Sequence, residues 1–421
     1  MNKNLKRGLS VLAVAATAAM VLTGCSAAKF DAANCKDAKL SLGTLLPTTG
    51  NLAFLGAPEI AGVDLAVKEI NENGGVGGAC VSVKHTDSGD TTTNTASQSV
   101  AALNAAGVDA FVGAASSGVT LSVIDQVVKD GMVQVSPANT APVLSTYKDN
   151  GFYFRTAPSD VLQGRVLGNL MIKDGHTKIG FLTMQDPYGT GLEENAAKSV
   201  TAQGGTVVGN EVFPAGTKNA NAQVDKLLAA KPDAIALISF DEAKVIIPYL
   251  VKTKGWDATS LYLVDGNTAD FSKDFTDFNI AGAQGTIPGV IATDAFKKRL
   301  ATVNKNLTVF AYAAESYDAT MLIALAADVA VQKGEDVTGA TIKKYMVEVS
   351  KGGTKVDFSK GNGYKTALDL VKAGKDIDFE GVSGPISFDD NGDPTEAYVG
   401  TYVFGTNNNN TPQDAVYGKL G

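Results

Sequence analysis

Three short polar turns hold the residues best placed for ligand chemistry. Ser116-Ser117-Gly118 follows the apolar run Asp109–Gly113 and opens a helical pattern, so hydroxyls and free backbone N–H groups gather at one helix start. Ser136-Pro137-Ala138-Asn139-Thr140 follows the next apolar run, Met132–Val135. An anion is the natural guest of such donors, although a simple helix cap uses the same groups. Asp265-Gly266-Asn267 follows Leu261–Val264 and offers a carboxylate to a cation, or a turn-forming acid that caps the next helix. Phe240-Asp241-Glu242 stands in the same relation to Ala234–Phe240, where acids also favour a helix start without any ligand.

Catalytic patterns are missing. His85 and His176 are the only histidines, and neither accompanies a serine in a nucleophile elbow. Gly113-Ala114-Ala115-Ser116 places its serine one position late for that motif. No HExxH and no cysteine–histidine cluster has metal-ligand spacing. Gly74-Gly75-Val76-Gly77-Gly78 follows a helical pattern and reads as a helix stop. Tyr188-Gly189-Thr190-Gly191 does join a strand to a helix, but Glu194 stands where a dinucleotide fingerprint needs glycine. The chain reads as a binder without cofactor or metal, not as an enzyme.

Positioning these turns requires repeated strand–helix units. Apolar runs at Leu40–Leu46, Val81–His85, Asp109–Gly113 and Met132–Val135 alternate with helical patterns near Glu59–Ile70, Thr91–Ala106 and Ser117–Asp130. That is the form of an α/β doubly wound, mainly parallel sheet, whose ligands bind at the carboxyl ends of the strands. Ser117, Ala138 and Thr140 therefore face one crevice. After the extended link Tyr153–Pro158 the alternation restarts, with strands at Lys178–Met184, Thr206–Phe213, Ala234–Phe240 and Leu261–Val264. This predicts a second, similar lobe that carries Asp265. Helices follow near Asp294–Val303, Ala314–Gln332 and Thr338–Glu348, then late strands over Ser383–Gly392 and Glu396–Phe404. Residues 406–421, with the run Asn407–Asn410, read as a flexible tail.

The first residues set the compartment. Lys3, Lys6 and Arg7 precede the apolar run Leu9–Leu22, which is short for a membrane span and has the form of an export signal over residues 1–24. Leu22-Thr23-Gly24-Cys25 resembles the lipobox of bacterial lipoproteins and implies lipidation of Cys25, with residues 25–35 as a tether. Of three cysteines this leaves Cys35 and Cys80, each just ahead of an apolar strand. If those strands are parallel neighbours, a disulfide is within reach. The formal net charge of −8, which loses three cations with the signal, suits no nucleic-acid partner.

Several stretches, in order and at consistent spacing, resemble the branched-chain amino-acid-binding family of ABC-importer receptors, the type I periplasmic binding proteins. They are Leu46-Pro47-Thr48-Thr49-Gly50, Ala61–Ala66 with Ile70-Asn71, Val135–Pro142, Tyr188-Gly189, Tyr317-Asp318-Ala319 and Gly384–Asp389 with Asn391-Gly392. The resemblance implies two lobes joined by three crossovers, with one lobe from 36–156 and 290–383 and the other from 157–289 and 384–405. A ligand carboxylate would be held at Ser117, Ala138 and Thr140, and an ammonium at Phe240 and Asp265. Tyr188 would face the cleft and Leu55 would cover the ligand side chain. The chain departs from the family at three of these positions: Phe240 lacks a tyrosine hydroxyl, Asp265 replaces a glutamate, and Leu55 replaces an aromatic. An aliphatic amino acid is the first expectation, with amides, urea-like compounds or small organic acids as alternatives. The implied setting is extracytoplasmic: a membrane-anchored monomer serving a permease, or a sensory variant of it.

Overall fold

The computed structural model describes residue 35, residues 37–290 and residues 292–420. The export signal and Cys25 lie outside the described residues.

The first lobe begins with β1 (Leu40–Leu46), α1 (Gly56–Glu72), β2 (Val81–Asp87), α2 (Thr95–Ala105), β3 (Ala110–Gly113), α3 (Ser117–Asp130), β4 (Val133–Ser136) and β5 (Tyr153–Arg155). All five strands pair in parallel, in the order β2-β1-β3-β4-β5. Val112, Val133 and Val135 are fully buried, as strands covered on both faces require. Leu40 of β1 lies opposite Val81 of β2. That register brings the residues ahead of both strands together, and Cys35 and Cys80 form a disulfide.

The chain then crosses to the second lobe through residues 156–159. There α4 (Asp160–Lys173), β6 (Lys178–Gln185), α5 (Pro187–Ala202), β7 (Thr206–Pro214), α6 (Asn221–Ala229), β8 (Ala234–Ile238), α7 (Ala243–Ile247), β9 (Leu261–Leu263) and β10 (Gln284–Pro288) follow in turn. It returns through residues 289–293 to α8 (Asp294–Leu300), α9 (Ala313–Gln332), α10 (Gly339–Ser350), β11 (Thr354–Asp357), α11 (Gly363–Lys372) and β12 (Ile377–Glu380), which join the first lobe. A third passage, 381–395, leads to β13 (Glu396–Phe404) and β14 (Asn410–Lys419) in the second. The second sheet is mixed, in the order β14-β13-β10-β9-β8-β6-β7, with β13 and β14 antiparallel to their neighbours.

Helix α9 is the spine of the first lobe. Its residues from Ala313 to Ala330 are all buried, and alanines allow α1 to approach closely. A Cβ on Gly62 of α1 would lie 2.2 Å from the Ala313 carbonyl oxygen.

Two expectations are corrected. Residues 406–421 do not form a flexible tail: Asn410–Lys419 is strand β14, paired along β13. The asparagine run is the turn that enters it. Buried Asn408, with φ of 58°, donates to the carbonyls of Phe275 and Phe278 and accepts from the Ile280 N–H. The stretch Ser383–Gly392 is not a strand but a loop with isolated bridges at Pro385 and Phe388. It is held by side chains instead. Asp318 of α9 accepts from the Val382 and Ser383 N–H groups, and Asp393 binds Arg155.

Candidate functional site

The two turns of the first lobe are pinned to each other before any ligand is considered. Ser136 Oγ donates to the Ala114 carbonyl and accepts from the N–H groups of Ala138 and Asn139. Asn139 Nδ2 donates to the carbonyls of Ala114 and Ala115. Arg155, fully buried, donates to the Asn139 and Ala141 carbonyls and forms two bonds to Asp393, at 2.6 and 2.7 Å. One guanidinium fork thus ties the donor loop to the third passage, a geometry that lysine cannot reproduce.

Ser116 caps α3 by accepting from the Val119 N–H, which leaves Ser117 as the first helical residue. Ser117 Oγ accepts from the N–H groups of Thr140 and Ala141, at 3.3 and 3.2 Å. Its own hydroxyl hydrogen therefore remains available to donate. Thr140 Oγ1 is buried beside the Asp160 carboxyl. Ser117 thus offers a hydroxyl donor at a helix start, an arrangement suited to a carboxylate.

The second lobe supplies the acid. Asn267 Nδ2 donates to the Ser239 carbonyl, so the 265–267 turn is locked onto the end of β8. Asp265 Oδ1 accepts from Tyr188 Oη at 2.7 Å and Gln163 Nε2 at 2.8 Å, and Oδ2 accepts from Tyr312 Oη at 2.8 Å. Burial pushes the Asp265 carboxyl up, and these three donors oppose the shift. Asp160, buried at the start of α4, is also raised by burial and by Asp265, with the Thr140 hydroxyl opposing the shift. The Tyr188 ring stacks on Phe240, with centroids 5.2 Å apart and planes 14° apart. Asp186 caps α5 by accepting from the Tyr188 N–H, which sets the direction of that ring.

Leu55, Ser117, Ala138, Tyr188, Phe240 and Asp265 line one enclosed cavity of about 10 Å³ between the lobes. Thr140 lies behind Ser117, off that lining. Leu52, Ala115, Gly266 and Tyr312 complete the wall. These four, with Gln163 and Arg155, are the residues sequence reasoning missed. Tyr312 had no local signal, because it precedes α9 and reaches Asp265 across 47 positions. The lobes meet around the cavity: the Asp241 N–H donates to the Asn51 carbonyl at 3.3 Å, and Gly118 abuts Asp186.

Two α/β lobes that meet over a small cavity, with the Ser117 hydroxyl from one and a buried acid from the other, define a two-lobed solute-binding protein. The periplasmic binding protein family model matches residues 39–407, and the chain belongs to that family. The resemblance seen in the sequence is borne out. Among relatives, the chain is 27% identical over 372 residues to a chemotactic signal transduction system substrate-binding protein, BasB, from Halobacterium salinarum, covering 86% of each. It is 32% identical over 199 residues to a Leu/Ile/Val-binding protein homolog from Brucella abortus, covering 46% of this chain and 52% of that one. Among solved structures, the branched-chain amino acid transporter substrate-binding protein LivJ from Streptococcus pneumoniae, in complex with isoleucine, superposes with a TM-score of 0.72 at 22% identity, over 90% of this chain and 99% of that one. The leucine-binding protein LivK from Thermotoga maritima gives 0.70 at 20% identity, over 90% and 98%. These two likenesses establish a shared fold.

Proposed function

We propose that this protein is the solute-binding component of an ABC importer, exported and held at the membrane by lipid on Cys25, and that its ligand is an amino acid with an aliphatic side chain. The observation that carries the reading is the pairing across one cavity of the free Ser117 hydroxyl with the Asp265 carboxylate. That hydroxyl, at the start of α3, suits an α-carboxylate. Asp265, oriented by Tyr188, Gln163 and Tyr312, is the acid of that lining and supplies the counter-charge for an α-ammonium. Leu52, Leu55, Ala115, Ala138 and the Phe240 ring offer apolar contact to the side chain. Neither half compensates a buried charge alone, so closure favours a solute that brings both charges. A cavity of about 10 Å³ holds about one water, so a solute enters only when the lobes part at the three passages.

A thermal-shift screen of amino acids, amides and small organic acids tests this, because a ligand stabilises the state it binds by mass action. Stabilisation confined to aliphatic amino acids supports the reading, and a response only to compounds lacking an ammonium rejects it. The name of the Halobacterium relative favours a second reading, a receptor that reports its ligand to a signalling partner. A deletion strain with intact uptake and lost taxis would select that alternative.

A further inference from the structure

A second cavity, of about 340 Å³, shares Tyr312 with the cleft. That volume falls in the range of small-molecule sites. Lys297 and Phe310 line it from the α8–α9 segment, Glu315 from α9, and Asp270, Ile287 and Tyr402 from the second lobe. Asp270 accepts from the Ser272 N–H, but Glu315 and Lys297 lack close side-chain partners. Glu315 is 2% exposed; its carboxyl abuts Gly289, and among the described residues it accepts a hydrogen bond only from its own backbone N–H. The nearest acid to Lys297 Nζ is the exposed Asp294, at 4.0 Å, while the Phe310 ring lies beneath it at 5.1 Å. A buried acceptor, a cation free of any tight ion pair and apolar walls together match a zwitterion with an apolar side chain.

We propose that this cavity is a second amino-acid site, coupled to the cleft through Tyr312. The coupling, though not the site, rests on the cleft being an amino-acid site. Lys297 would take the carboxylate, Glu315 the ammonium, and Ile287, Phe310 and Tyr402 the side chain. Tyr312 has the left-handed backbone, φ 59°, that a non-glycine residue keeps only when its surroundings hold it there. Its hydroxyl donates to Asp265 Oδ2. A molecule packed against this ring therefore also steadies the acid of the cleft, and the coupling runs equally in both directions.

Binding has a protonic signature. Burial, reinforced by Asp318 of the same helix, pushes the Glu315 carboxyl up to about 8. The charged groups around it are Asp318 on α9, Glu59 on α1, Lys297 on α8 and Asp270 from the second lobe. Near neutrality Glu315 therefore holds its proton, and an arriving ammonium drives that proton into solution.

Titration calorimetry on the full mature chain tests the proposal, with leucine, phenylalanine, glutamine and lysine as probes in buffers of different ionisation enthalpy. The expected result for at least one probe is two events, the weaker releasing a proton near neutral pH. Lys297→Gln and Glu315→Gln should each weaken that event tenfold or more and leave the tighter one in place. A single event with every probe, or a weaker event that survives both substitutions, overturns the proposal. Two events that are both insensitive to Asp265→Ala would reject the cleft reading and leave the cavity standing. Lys297 is partly exposed, so its variant keeps the test decisive even if Glu315→Gln disturbs folding.

Discussion

Asp265 and Ser117 stand on opposite walls of one cavity but differ in how replaceable they are. Asp265 is the acceptor for three buried donors, Tyr188, Gln163 and Tyr312; its removal orphans the two tyrosine hydroxyls, while Gln163 keeps Thr286, and leaves a bound ammonium without a counter-charge. Losing one partner of a buried charged pair costs roughly 3 kcal/mol, so Asp265→Ala should weaken amino-acid binding by about two orders of magnitude. Ser117→Ala removes one hydroxyl while the Thr140 and Ala141 N–H groups stay in place, and should cost about 1 kcal/mol, near fivefold. Titration calorimetry on the two variants reads this ratio, and equal losses would contradict the assignment of the two half-sites. Arg155 acts on stability. Arg155→Met strips the buried Asp393 of its partner and should lower the unfolding free energy by roughly 3–5 kcal/mol in urea melts.

At the scale of elements, helices α3 and α5 decide whether the lobes can meet. A Cβ added to Gly118 in the first turn of α3 would fall 2.3 Å from Asp186 Oδ2, at the start of α5 in the other lobe. A methyl there would force the Asp186 carboxylate, which caps α5, to move. Gly118→Ala should hold the lobes apart, weakening ligand binding at least tenfold while leaving the melting temperature of the free protein nearly unchanged. Small-angle scattering with saturating ligand would show no compaction in the variant, whereas normal compaction would mean that the contact is dispensable. The disulfide belongs to this scale too. It closes a loop of 45 residues ahead of β1 and β2, for which chain entropy gives about 4 kcal/mol at most. Cys35→Ser with Cys80→Ser should lower stability by about 2–4 kcal/mol without altering ligand affinity.

Across the whole molecule, stability depends on keeping buried acids protonated. Burial pushes Asp318 up to about 7, although Ser383 and Val382 donate to it. An unfolded aspartate titrates near 3.9. Asp318 therefore contributes stability that is complete below the unfolded value and is lost as pH rises through about 7. Over that window this one group makes stability fall by about 1.4 kcal/mol per pH unit. In urea melts across the window, Asp318→Asn should flatten the slope, and an unchanged slope would place the pH dependence elsewhere.

Local chemistry made much of this molecule readable in one dimension. Alternating apolar runs and helical periods predict two α/β lobes, since each strand must be buried on both faces and each helix on one. Polar turns after strands mark Ser117, Ala138 and Asp265, because a parallel sheet sends those turns to a single edge. Tertiary structure alone decided what completes the site. Tyr312 and Gln163 reach Asp265 from elements 47 and 102 positions away, through hydrogen bonds that leave no local pattern. Strand β14 was equally hidden. Its exposed residues carry no apolar period, and its order comes from backbone pairing with β13 and from the Asn408 turn. Residue type and period set what each segment can form, whereas long-range hydrogen bonds and close packing select which segments meet.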